Sequence, residues 1–105
     1  MIKITFTESG QKLSLRLKGH ARYAEHGKDI VCASASILAY TLSYVVGRLD
    51  GVELIEDIRS GNTTIECECK DPNTFKSLRD AFHFTEVGYA LLQRNYPQYV
   101  RLIES

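Results

Sequence analysis

The stretch that decides the fold runs from residue 29 to residue 49 and reads DIVCASASILAYTLSYVVGRL. Between Ile30 and Leu49 the only charged residue is Arg48. A helix that is apolar on nearly all sides is a buried helix, and Asp29 is a good residue to cap its start. We therefore predict a helix over residues 30–49 that is covered by a sheet, by a second helix and by another subunit.

Two segments of alternating polarity precede this helix. Apolar residues alternate with polar ones over residues 2–7 and over residues 12–18, which is typical of half-buried strands. The segment Glu8-Ser9-Gly10-Gln11 between them favours a hairpin turn. The residues from Gly19 to Lys28 show no apolar period and are predicted to form a loop that leads into the helix.

A second hairpin follows the helix, with predicted strands over residues 52–58 and 63–70. Leu54 and Ile55 are adjacent and break the alternation, which suggests a bulge. Asp71 and Pro72 then begin a second helix, because aspartate is a good cap and proline fits the first helical position.

The second helix carries one stripe of mostly apolar residues at helical spacing, and its members are Phe75, Leu78, Phe82, Thr85, Tyr89, Leu92 and Tyr96. Pro97 ends this helix, and residues 100–103 are predicted to form a last short strand. The element order ββαββαβ predicts an α+β fold with a sheet packed against two helices, in a single domain over residues 1–105.

Charge and hydropathy limit the possible partners. Thirteen Lys and Arg residues balance thirteen Asp and Glu residues, so we expect no direct binding of nucleic acid, although this balance leaves room for a small basic patch. No apolar run approaches the ~20 residues that cross a bilayer, and residues 1–10 lack the apolar stretch of a signal peptide. We expect a cytoplasmic protein without membrane contact.

Three cysteines form no disulfide framework, which fits reduced thiols in the cytoplasm. Cys67 and Cys69 lie on one face of a strand and are predicted to pack in the core, because a zinc site needs two more ligands. We therefore expect no metal and no cofactor.

Cys32 is different, because it lies in the first turn of the buried helix. Backbone N–H groups and the helix dipole favour an anion there, so the position favours a thiolate. The same N–H groups can donate to the oxyanion of acyl transfer, although a capping Asp29 would occupy one of them. The alternative from position alone is a small packed cysteine.

His20 opens the loop that ends beside Cys32, so the two side chains can come together. A Cys–His pair also needs a group that orients the imidazole, and Asp29 or a backbone carbonyl can do this. His26 is a rival base in the same loop, ranked second because its neighbours are typical of an exposed tip. Ser36 lies one helical turn after Cys32 and either lines the same pocket or bonds back to the helix.

The segments Gly19-His20-Ala21 and Gly27-Lys28-Asp29-Ile30-Val31-Cys32-Ala33, followed by Ser36, resemble the ribosomal-processing cysteine protease family, Prp. The resemblance extends over the whole chain in its element order, and its specific part is residues 19–36. It implies that Cys32 is the nucleophile and His20 its base. It also implies that Asp29 and Ser36 support them, and that Gly19 and Gly27 bound a mobile loop.

The resemblance further implies a homodimeric endopeptidase. Its substrate would be the N-terminal extension of large-subunit ribosomal protein twenty-seven, bound as an extended peptide and cut between an aromatic residue and a small one. Two alternatives remain: a ribosome-associated module that binds this tail without cutting it, and a small RNA-binding α+β domain. The intact pair His20 and Cys32 counts against the first alternative, and the balanced charge counts against the second.

Overall fold

The five strands and two helices follow the predicted order ββαββαβ in a computed structural model that describes residues 1–103. The elements are β1 (Ile2–Ser9), β2 (Lys12–Lys18), α1 (Ile30–Val46), β3 (Glu53–Arg59), β4 (Asn62–Glu68), α2 (Pro72–Asn95) and β5 (Val100–Ile103). The predicted α+β class is confirmed.

The strands form one mixed sheet in the order β3-β4-β2-β1-β5. Its pairings are antiparallel except that of β1 with β5, which is parallel. Alternate residues such as Ile4, Leu15 and Ile65 are fully buried against the helices, while their neighbours along each strand lie on the open face. The sheet therefore has one packed face and one face toward water.

Helix α2 begins and packs as predicted. The Asp71 side chain accepts a hydrogen bond from the N–H of Thr74, and Pro72 is the first helical residue. The predicted stripe faces the core, and Tyr89 is completely buried. The Tyr89 hydroxyl donates to the carbonyl of Ala35 at 2.8 Å, so α2 holds α1 at a fixed depth.

Helix α1 ends at Val46 and not at the predicted residue 49. Gly47 follows, and its N–H donates to the carbonyl of Ser43 at 3.0 Å. The N–H groups of Arg48 and Leu49 each bond a carbonyl three residues back at 3.2 Å, which is a tight turn. Glycine is a poor helix former, so the helix stops there although the apolar run continues.

The predicted bulge at Leu54 and Ile55 is wrong. The register between β3 and β4 runs one residue for one residue from Glu53 opposite Glu68 to Arg59 opposite Asn62. Ile55 lies on the open face with 65% of its surface exposed. An isoleucine facing water, and not an extra residue, breaks the alternation.

Cys67 and Cys69 are buried in the core, as predicted. Burial, with a smaller contribution from the Glu66 carboxylate, raises the pKa of the Cys67 thiol to about 12. Within residues 1–103 no three His, Cys, Asp or Glu side chains converge to hold a metal ion. Over the same residues, neither helix combines the length and the apolar character that crossing a membrane requires.

Candidate active site

Cys32 lies in the first turn of α1, with its thiol partly exposed. Oδ1 of Asp29 accepts hydrogen bonds from the N–H groups of Val31 and Cys32, both at 3.0 Å. The Cys32 sulfur accepts a hydrogen bond from the N–H of Ala21 at 3.4 Å. A backbone N–H therefore reaches the Cys32 sulfur at the N-terminal end of α1.

Fewer N–H groups at the start of α1 are available to bind a substrate oxyanion than we expected. We expected the Asp29 side chain to occupy one of these N–H groups. Its oxygen Oδ1 alone accepts hydrogen bonds from two of them, those of Val31 and Cys32. The N–H of Ala33 donates to the backbone carbonyl of Asp29 at 3.0 Å. These groups therefore stabilise the helix start and do not face a substrate oxyanion in this conformation.

The second oxygen of Asp29 connects the helix to the loop that carries His20. Oδ2 accepts hydrogen bonds from the N–H of Tyr23 at 2.9 Å and of Ala24 at 3.3 Å. Partial burial raises the pKa of Asp29, but hydrogen bonds from Cys32, Ala24 and Tyr23 lower it more, so the pKa lies below the ordinary 3.8. Among residues 1–103 the imidazole of His20 is not a partner of this carboxylate, which holds the loop backbone instead.

His20 is positioned by the end of β2 and by the turn between β3 and β4. The N–H of Gly19 donates to the carbonyl of Gly61 at 2.9 Å. The imidazole lies directly against Gly61, where a β-carbon would come within 2.6 Å of Nε2. The sequence does not show that β4 pairs with β2 and brings the turn containing Gly61 to the site.

The predicted site residues come together in one open cleft of about 530 Å³. Among the residues that line it are His20, His26, Asp29, Cys32 and Ser36. Ser36 is exposed at the cleft, whereas the neighbouring Ser34 bonds back to the carbonyl of Ile30 at 2.7 Å. Both histidines reach the cleft, so the structure keeps His26 as the rival to His20.

The loop from Gly19 to Lys28 is attached to the end of α2 by an aromatic contact that we did not predict. The Tyr23 ring meets Tyr96 edge to face at a centroid distance of 5.5 Å and Tyr99 at 5.2 Å. The two glycines that bound the loop have positive φ values, +98° for Gly19 and +88° for Gly27. Tyr23 has no sequence signal, because it lies in a segment without period and its partners are distant along the chain.

A partly exposed thiol at a helix N-terminus, with an imidazole in the same cleft, is the arrangement of Cys–His hydrolases. The family model for cysteine protease Prp matches residues 1–101. The chain therefore belongs to the cysteine protease Prp family.

Two individual relatives are similar to this chain. The ribosomal processing cysteine protease Prp of Bacillus subtilis is 40% identical over 60 residues, which are 55% of this chain and 54% of that protein. The chain thus spans about half the length of the curated relative it matches. A structure from Streptococcus mutans is 28% identical with a TM-score of 0.71, covering 99% of this chain and 93% of the other.

The fold is also that of the essential ribosomal processing protease Prp of Staphylococcus aureus, solved with a covalently linked product peptide. That structure superposes with a TM-score of 0.84 over 100% of both chains at 21% identity. A second Staphylococcus aureus structure, with a substrate peptide, gives 0.76 over 100% of both chains at 20% identity. At these identities the similarity concerns the fold.

Proposed function

We propose that this chain is a cysteine endopeptidase that removes the N-terminal extension of large-subunit ribosomal protein twenty-seven. The observation that carries the proposal is the Cys32 sulfur, which accepts a hydrogen bond from Ala21 in the cleft that His20 also lines. Membership of the Prp family supports the protease activity. The name of the Bacillus subtilis relative supports a ribosomal substrate, and the product peptide of the Staphylococcus aureus protease supports a bound peptide.

In the proposed reaction His20 takes the proton from the Cys32 thiol, and the thiolate attacks the carbonyl carbon of the scissile bond. The tetrahedral intermediate collapses to a thioester while the imidazolium gives its proton to the departing amine. A water molecule, deprotonated by His20, then hydrolyses the thioester and restores the thiol. Before the attack, the N–H of Ala21 stabilises the negative charge on sulfur.

The proposed substrate is an extended peptide and not a folded protein. The cleft is open and its volume of about 530 Å³ accommodates a few side chains of a chain lying across it. Specificity then depends on pockets for individual residues, with the cut between an aromatic residue and a small one. A ribosomal-protein substrate also implies a cytoplasmic enzyme, and this location is part of the proposal.

The test is incubation with the full-length ribosomal protein from the same organism, followed by mass spectrometry of the product N-terminus. A single cut that removes the extension is expected, and Cys32→Ala and Cys32→Ser should abolish it. His20→Ala should lower kcat/KM by about 10²-fold or more, and His26→Ala by much less. Equal losses would reverse the choice of base.

Two other results would overturn this proposal. Efficient cleavage of casein without the specific cut would show a general protease. Retention of the intact ribosomal protein in a stable complex, with no product after long incubation, would show the non-catalytic binding module instead.

We also propose that the protein is a homodimer. On the outer side of α1 the side chains of Ile37, Tyr40 and Tyr44 are 61%, 52% and 68% exposed. With Leu54 and Ile58 they line an open groove of about 860 Å³ beside the edge strand β3. An apolar groove at a sheet edge is costly in water, so a second copy covers it. Sedimentation at low micromolar concentration should give a dimer, and a clean species of 11.9 kDa would contradict this.

A further inference from the structure

One end of the open sheet face carries a row of cations that the proposed protease chemistry does not use. Strand pairing places one residue from each of the five strands side by side. In spatial order across the sheet they are Arg59, the neutral Asn62, Lys18, Lys3 and Arg101. We call these five residues, four of which are cations, the cationic row.

All five side chains project toward water. Their neighbours along the strands, among them Ile2, Leu17 and Val100, are buried in the core, and alternate residues of a strand face opposite ways. Each residue of the cationic row is exposed. At ~4.8 Å between neighbouring strands, the row spans about 19 Å.

Most of this positive charge is not neutralised within the fold. Arg59 pairs with Asp57 at 2.5 Å, but Lys3, Lys18 and Arg101 form no ion pair with any residue in the range 1–103. Like charges directly opposite each other in a sheet are destabilising. Lys3 is nevertheless opposite Lys18 on one side and Arg101 on the other.

The rest of the open face makes the separation of charge clear. Arg16 lies on the next rung along the sheet, between Thr5 and Thr64, and adds a fourth cation without an ion pair in the described chain. The far end of the same face carries the acidic residues Glu53, Glu66 and Glu68, of which only Glu68 pairs with a cation, Lys12, in the described chain. A chain of balanced net charge thus presents a basic end and an acidic end.

The basic end is also the end at which the catalytic cleft lies. Lys18 directly precedes Gly19 and His20, and Asn62 directly follows Gly61, against which the imidazole packs. A partner bound along the cationic row would therefore lie beside the cleft without filling it.

We propose that the cationic row binds the phosphate backbone of RNA without reading its sequence. Lys18, Lys3 and Arg101 lie side by side on adjacent strands and match a chain with regularly repeated negative charge. The hydroxyls of Thr5, Ser14 and Thr64 on the same face can donate to phosphate oxygens. No aromatic side chain of β1 to β5 lies on this face, since Phe6 contacts Phe82 and Tyr89 on the packed side, so bases are not read by stacking.

Such binding would bring the protease to an RNA-bound substrate. This consequence rests on the proposed function, but RNA binding by the cationic row does not depend on that function. This proposal departs from our expectation that the protein does not bind nucleic acid directly. That expectation came from the net charge, which hides the separation of charge on the sheet.

The test is fluorescence anisotropy of the full chain with a labelled 20-nucleotide single-stranded RNA at several salt concentrations. Contacts to three or four phosphates predict that log K falls with log salt with a slope of about −2 to −3, at ~0.7 per phosphate. The triple variant Lys3→Gln/Lys18→Gln/Arg101→Gln should bind at least about 10-fold more weakly and lose most of this slope. The matched control Lys70→Gln/Lys76→Gln/Arg94→Gln removes the same charge elsewhere and should stay within about twofold of the unmodified protein.

Equal weakening by the two triple variants would overturn the proposal, because net charge alone would then explain binding. Stronger binding of a glutamate-rich peptide of equal charge than of RNA would also overturn it, in favour of an acidic protein partner.

Circular dichroism checks folding of each variant. If the triple variant does not fold, Lys3→Gln and Arg101→Gln alone should each reduce the slope by about 0.7, and an unchanged slope would contradict the proposal. Cleavage of an isolated peptide is measured in parallel, so that failure of RNA binding is distinguished from failure of the protease.

Discussion

At the scale of single residues, Gly61 lies directly against the imidazole of His20. Gly61→Ala should lower kcat/KM by at least about tenfold, because its β-carbon would come within 2.6 Å of Nε2 of His20 and displace the imidazole. The matched control is Gly51→Ala. Gly51 has nearly the same φ, +79° against +76°, but nothing within 4 Å of a β-carbon.

Both alanine variants should lose a similar stability, of about 1–2 kcal/mol, because each forces an L-residue into left-handed backbone. Thermal unfolding measures this loss, and peptide cleavage measures the rate. Similar activity in the two variants would show that contact with Gly61 does not position His20.

The three thiols should differ in reactivity for reasons visible in the fold. Brief treatment with iodoacetamide at pH 6 should label Cys32, which is partly exposed at the cleft. Cys67 should stay unlabelled because it is buried and its pKa is about 12, so it keeps its proton. Cys69 should stay unlabelled because only 2% of it is exposed. Peptide mapping by mass spectrometry reads the sites, and equal labelling of the three would contradict an activated Cys32.

At the scale of elements, Asp29 joins the start of α1 to the loop that carries His20. An asparagine in its place would still cap the helix through its one side-chain oxygen, but its NH₂ group cannot accept from Tyr23 and Ala24. Asp29→Asn should therefore destabilise the fold by about 1–2 kcal/mol at pH 7 and lower activity, while the helix persists. Full activity would mean that Asp29 only caps the helix.

The pH dependence of this variant gives a second test. Folding lowers the pKa of Asp29 below 3.8, so its stabilisation is complete above that pH. The stabilisation is lost as the pH falls through the lower, folded pKa. The stability difference between the unmodified protein and Asp29→Asn, measured by urea unfolding, should thus be constant from pH 5 to 7 and become smaller toward pH 2.5. A constant difference down to pH 2.5 would contradict the assigned hydrogen bonds.

The aromatic contact of the loop with the end of α2 should hold the loop in place. Two edge-to-face pairs contribute about 0.5–1.5 kcal/mol each, so Tyr23→Ala should lower the population of the ordered loop and reduce kcat/KM by about tenfold. Tyr23→Phe keeps both ring contacts and should be close to the unmodified protein. Hydrogen exchange at Tyr23 and Ala24 should become faster in the alanine variant alone, and unchanged exchange would show that Tyr96 and Tyr99 do not hold the loop.

The elements were predictable where their causes are local. The alternation of apolar and polar residues predicted the strands. Asp29 and Asp71 predicted the helix starts, because capping involves only the next few residues. The end of α1 was predicted wrongly because Gly47 stops the helix inside the stretch that we predicted as helical. The continuity of β3 was predicted wrongly because we treated Ile55 as a buried residue. Ile55 faces water, so its hydrophobicity says nothing about the register.

The candidate site also combines residues with local causes, which were predictable, and residues with tertiary causes, which were not. The proximity of Cys32 and Asp29 was predictable because a cap and a thiol in one helical turn lie together in the sequence. Gly61 and the partners of Tyr23 could not be found, because they reach the site only through the pairing of β2 with β4 and the packing of the loop on α2. The placement of His20 in the cleft was predicted from the motif, and the reason for that placement is tertiary.

At the scale of the whole molecule, two exposed apolar surfaces are candidates for the interface of the proposed homodimer. One is the groove beside α1 that includes Ile37 and Tyr44, and the other is the outer side of α2, where Phe84 is 83% exposed. We expect the groove to be the interface, because it is concave and continues onto the edge strand β3, so it offers apolar contact and unpaired backbone groups together.

The double variant Ile37→Lys/Tyr44→Lys should therefore sediment as a monomer at low micromolar concentration, since two buried cations without partners cost several kcal/mol each. Phe84→Lys is the control and should remain a dimer, because it alters only the surface on α2. Circular dichroism should show that both variants keep the fold, as all three side chains are exposed in the single chain. A dimer in the double variant together with a monomer in Phe84→Lys would move the interface to α2. Such a result would also leave the groove beside α1 without an occupant.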